Sequence, residues 1–111
     1  MTTTTKVIIP SKVAEAVETT QYTSLNCMTI IDKFTAFNPT GAIVTLTASL
    51  VTSGGAGGGL SRTVSVGVAP GRTYTFPELV GHTLESGDFI STIAGTAASL
   101  NIRASGRQIT A

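Results

Sequence analysis

The chain has 111 residues, 12% of them charged, with seven Lys or Arg against six Asp or Glu and a formal net charge of +1. An ordinary domain carries about 25% charged residues; here the difference is made up by threonine, serine, glycine and alanine, so little self-repulsion keeps copies apart and self-association is expected. The composition argues against nucleic acid, because the cations are scattered from Lys6 to Arg107 with no basic cluster. It argues against a membrane span too, because no run of about 18 apolar residues occurs.

The length suits one domain burying about two-thirds of its unfolded surface. Residues 1–19 stand apart from the rest. A threonine run leads into "KVIIP" and then "SKVAEAVE", which could make one helical turn or lie extended. This reads as an N-terminal arm, with Val7, Ile8 and Ile9 as an apolar hook. Such a hook packs either on its own domain or on a neighbouring subunit, and the three residues are the partner-binding candidates. The run is too short for a signal peptide.

From Thr20 onward the pattern is strands and turns. "CMTIIDKFTAF" is rich in β-branched and aromatic residues, and "NPTG" then places Asn38, Pro39 and Gly41 where a type I turn wants them. In "AIVTLTASLV" the residues Ala42, Val44, Leu46, Ala48 and Leu50 share one face, and Val64, Val66 and Val68 do the same further on. Between these runs lies "SGGAGGGLS", whose Gly54, Gly59 and Ser61 are spaced like a phosphate-binding loop. The lysine that such a loop needs is replaced by Leu60, and both flanks are strands, so a long hairpin connection is expected and a nucleotide is not. "APG" is suited to a type II turn with Gly71 at positive φ. "RTYTF", "FISTIA", "LNIRA" and "RQITA" complete the strands.

Residues able to carry chemistry are few. His82 is the only histidine and Cys27 the only cysteine, so no zinc set can be assembled, and no G-x-S-x-G elbow exists. Cys27 is expected to be a small buried side chain without a disulfide, in keeping with a reducing compartment. Glu78, Glu85 and Asp88 surround one connection without an EF-hand pattern, and turn capping by Asp88 is the expectation. Asp32 falls in an otherwise inward row with Met28, Ile30, Phe34 and Ala36. It requires either a bulge that switches faces or a partner, such as Arg103 or turn N–H groups.

The runs "TTQYTSLNCMTIIDKFTAFNPTGA", "APGRTYTFPELVGHTLESGDFIS" and "LNIRASGRQIT" resemble a family of small proteins encoded among the virion structural genes of tailed bacteriophages and prophages. The resemblance covers nearly all of the chain after the arm and contains no catalytic motif, so it assigns no site residue. It implies a β-sandwich component of the virion.

Together these readings give an all-β protein: a single small β-sandwich or jelly-roll-like domain of seven or eight short antiparallel strands over residues 20–111, preceded by the arm at 1–19. The function expected is that of a non-enzymatic virion structural protein, a capsid decoration or cement protein or a head-tail accessory protein. Its expected partners are major capsid or neck and tail proteins and further copies of itself, without cofactor or metal. It would be made in the host cytoplasm and reside in the virion. The alternative is a receptor- or glycan-binding module of a tail or fibre.

Overall fold

Alternation of apolar and polar residues at a period of two produces strands wherever one face is buried. The computed structural model describes residues 1–110, and among these it holds nine strands and one turn of 3-10 helix at Gly59–Ser61. The strands are β1 (Thr2–Val13), β2 (Thr19–Thr23), β3 (Met28–Phe37), β4 (Val44–Val51), β5 (Arg62–Val68), β6 (Thr73–Tyr74), β7 (Thr83–Leu84), β8 (Phe89–Ala94) and β9 (Asn101–Thr110).

Their pairing is nested. β4 pairs with β5, β3 with β6 and β7, β2 with β8, and β1 with β9, all antiparallel. Contacts of β3 with β9 and of β4 with β8 then assemble two sheets, ordered β1-β9-β3-β6 with β7 also on β3, and β2-β8-β4-β5. One long hairpin wound into two facing sheets is the jelly-roll form of the β-sandwich.

The core lies between the sheets. Ile9, Ile31, Phe34, Leu46, Ile90 and Ile102 are fully buried there, each contributing about 1.5–3 kcal/mol through burial. Phe76 packs edge-on against both Phe34 and Tyr74, with ring centroids 5.0 and 4.7 Å apart. Its backbone has φ 42°, an unfavourable conformation for a bulky residue that this packing sustains.

The segment expected as an arm is the edge strand β1, so the division at residue 19 does not separate a free tail from the domain. The physical reason is a bulge. Register shifts between Val7 and Ile9 and between Ile9 and Lys12 break the strict alternation that would otherwise send neighbouring residues to opposite faces. Ile8 and Ile9 both turn inward as a result, whereas Val7 stays exposed. Pro10 falls within the same irregularity, between the paired residues Ile9 and Lys12.

The turns are tied down by side chains. Asn38 is fully buried and satisfied: its amide donates to the carbonyls of Ala42 and Val68 at 2.7 and 2.8 Å, and its oxygen accepts from the N–H and hydroxyl of Thr40. The bend after β3 is thus organised by this side chain. At the facing bend Arg72 N–H donates to Ala69 O at 3.1 Å and Gly71 has φ 69°, in the manner of a type II turn.

Candidate functional site

β1 lies at the end of its sheet, paired on one side by β9 and on the other by no strand among the described residues. Of the usual means of blunting an edge, proline and bulges occupy its second half, from Val7 to Lys12, and the first half carries a single charged residue, Lys6. Thr2 to Lys6 form a regular stretch of exposed, mostly β-branched residues whose outer N–H and C=O groups face solvent. Of the three residues expected to bind a partner, Ile8 and Ile9 belong to this chain's own core, and only Val7 is presented on the surface.

At the end of the sandwich where β1 begins, Met1, Asn26, Cys27, Met28 and Ile109 line an open apolar cavity of about 470 Å³. Its wall is held by interlocked connections: Asn26 N–H donates to Ser86 Oγ at 3.2 Å and Ser24 N–H to Asp88 O at 2.9 Å. Behind it, a chain of hydroxyls joins the two sheets. Gln108 donates to the Tyr22 hydroxyl at 2.7 Å, Tyr22 meets Thr29 at 2.8 Å, and Thr29 meets Ser24 at 2.9 Å. Cys27 is buried beside them and free, with its Sγ 3.5 Å from Ser24 Oγ.

The glycine-rich connection joins β4 to β5 as a hairpin, as its flanks predict, but its tip is folded against β8 rather than projecting. Gly57 lies so close to the Ser91 side chain that a Cβ would overlap it, and Gly58, at φ 81°, faces Glu18, whose carboxylate accepts from Ser91 Oγ at 2.5 Å. Leu60 stands fully exposed beside it. Asp88 caps its own turn by accepting from Glu85 N–H and reaches Ser53 N–H of the glycine connection, both at 2.9 Å.

Asp32 combines two of its expected resolutions. The register of β3 against β9 shifts between Ile31 and Lys33, so Asp32 sits on a bulge and faces outward, where Arg107 rather than Arg103 pairs with it. This leaves Arg103 and Lys33 on the same outer face with no acidic partner among the described residues. Their proximity was not legible from sequence, because it depends on the pairing of strands about 70 positions apart.

The shifted ionisations are local. The amide of Gln21, then Lys12, hold Glu15 below its usual range. A hydrogen bond to Glu78 raises Tyr74, and one to Asp32 raises Arg107. His82 is exposed, and its backbone N–H donates to Leu79 O at 3.3 Å. Among the described residues no group of three or more His, Cys, Asp or Glu side chains is placed to hold a metal ion, and no helix is long and apolar enough to cross a membrane.

Fold and surface define a small jelly-roll sandwich whose sheet edges include that of β1. No protein-family model matches the chain, and no curated protein does. In structure it is similar to a chain from Bacillus endospore appendages, described as a novel family of disulfide-linked pili, at a TM-score of 0.56 and 19% identity over 98% of this chain and 88% of that one. That likeness is one of fold.

Proposed function

We propose that the chain is a non-enzymatic structural protein of a tailed-bacteriophage virion, a capsid decoration or head-tail accessory protein that stabilises the particle through subunit contacts. The observation that carries the reading is the open edge of β1 from Thr2 to Lys6. An exposed edge of this kind accepts a strand from another chain, whose main-chain groups complete the ladder. Capsid, neck or tail subunits and further copies of this chain are the partners.

Two properties support the proposal, whose virion setting is taken from the resemblance described for the sequence. The surface of the chain is poor in charge, which favours contact between copies. The pilus chain of similar fold is described as part of a linked assembly, and we carry over the coarser property of being a subunit. The disulfide linkage is not carried over, since the one cysteine, Cys27, is buried.

The test uses two variants. Successive residues of an edge strand turn their N–H groups alternately toward the partner strand and outward. Of Thr4→Pro and Thr5→Pro, one therefore blocks the open edge and spares the pairing of β1 with β9. That variant is expected to melt as the parent does yet to be depleted from particles assembled in its presence. Undiminished occupancy of both variants would overturn the reading.

A further inference from the structure

The outer face of the β1-β9-β3 sheet carries an arrangement that edge pairing does not use. Register sets Lys33 of β3 opposite Ser105 of β9, and Thr35 opposite Arg103. The four residues line one shallow groove of about 230 Å³. Lys33 also borders a second groove, of about 380 Å³, with Asp32, Thr75, Pro77 and Val80. The two cations thus stand at diagonal positions of one sheet face, separated by hydroxyls.

Like charges so placed repel, and the one acid that borders them, Asp32, is engaged by Arg107. That pair is made through three hydrogen bonds of 2.9–3.2 Å. Neither Lys33 nor Arg103 has an ion pair among the described residues, and both are exposed. In a chain with only seven Lys and Arg, an uncompensated pair is a substantial share of the positive charge.

We propose that this face binds an acidic saccharide, one bearing carboxylate or sulfate groups. The guanidinium of Arg103 supplies a planar fork matched to such a group, and Lys33 a second point charge. Thr35, Ser105 and Thr75 offer hydroxyl partners for a sugar, and Pro77 and Val80 give an apolar margin. β9 lies between β1 and β3, so the groove at Arg103 and Ser105 is interior to the sheet, whereas β3 is strand-paired on its other side only at Thr29–Ile30 and Ala36–Phe37. Recognition here is by side chains. Aromatic stacking, in which this chain is poor, is replaced by charge.

The experiment titrates the full chain with oligogalacturonate and with heparin fragments at low ionic strength. Neutral dextran and polyglutamate serve as comparisons. Saturable binding to either acidic saccharide is expected, weakened at least tenfold in the Lys33→Gln, Arg103→Gln double variant and severalfold in each single one. Arg62→Gln removes the same unit of charge from β5 in the other sheet and should leave the affinity within twofold. Both sites are solvent-exposed, and unchanged melting curves verify folding. Absence of saturable binding to both saccharides overturns the proposal, as does an equal loss in Arg62→Gln, which would reduce the effect to net charge. Polyglutamate binding as tightly as the saccharides overturns it too, in favour of an acidic protein partner.

Discussion

Arg107 and Asp32 join β9 to β3 through a two-pronged ion pair, in which Nε donates to both carboxylate oxygens at 3.2 and 3.0 Å and Nη2 donates to Oδ1 at 2.9 Å. The bulge between Ile31 and Lys33 is what brings the carboxylate to this face. With side chains 44% and 42% exposed, the pair is screened by solvent and contributes little. Arg107→Gln should lower the melting temperature by about 5 °C at most. The difference from the parent should vanish near 1 M salt, where screening acts within about 3 Å. Differential scanning calorimetry at two salt concentrations checks this.

A much larger effect is expected one residue earlier. Gly106 crosses β3 where a Cβ would overlap the carbonyl oxygen of Ile30, a backbone atom that cannot swing aside. Gly106→Ala should cost about 3 kcal/mol or more through overpacking. Gly41→Ala is the contrast, for nothing lies within 4 Å of its added methyl, and a change within about 1 kcal/mol is expected. Urea midpoints of the two variants that fall close together would contradict the assignment.

Ile9 tests whether β1 belongs to the domain. It is fully buried, and Ile9→Ala should destabilise by about 2–5 kcal/mol, while Val7→Ser, on an exposed residue of the same strand, should cost little. Removal of residues 1–10 takes both Ile8 and Ile9 from the core and is expected to unfold the isolated protein. A truncated chain that melts as cooperatively as the parent would show that the remaining strands suffice.

Tyr74 offers a spectroscopic test. Its hydroxyl donates to both oxygens of Glu78 at 3.0 and 2.9 Å, and the adjacent carboxylate opposes formation of tyrosinate, so its pKa lies above the usual 10.0. Because the folded value is the higher one, the bond contributes below the unfolded pKa and is lost as pH rises through the folded one. The difference in tyrosinate absorbance between the parent and Tyr74→Phe should have its midpoint above pH 10.0, and Glu78→Gln should bring it down. An unmoved midpoint would exclude the carboxylate as the cause.

How far the sequence is legible depends on where its information is local. Leu100, Ile102 and Ala104 are buried as their alternation predicts, because a strand with one covered face must write that face into its own sequence. On β4 Val44, Leu46 and Ala48 are buried as expected, but Ala42 is exposed and Thr47, Ser49 and Val51 are buried on the other face. β1 was not legible as a strand, since Thr2 to Lys6 bury no face and leave no alternation to read. β6 and β7 are two residues each and owe their form to pairing with β3. The apolar run at Val7 to Ile9 is conspicuous in sequence, but whether its partner lies within the chain or outside it is decided by the bulge. The Lys33 and Arg103 pair required the register of β3 on β9, which no local pattern encodes.

The nesting of strand pairs has a kinetic consequence. β4 and β5 are joined through the glycine connection and can meet early, whereas β2 with β8 and β1 with β9 close progressively longer loops at growing entropic cost. Folds dominated by such remote pairings form in milliseconds to seconds. On loop length alone, the outermost pair is expected to close last. When β1 detaches, β9 is left with a vacant row of hydrogen-bonding groups that the β1 of any other copy fits as well as its own. Exchange of that strand between molecules is a route to intertwined dimers at high concentration, and its rate is set by how often Ile8 and Ile9 leave the core.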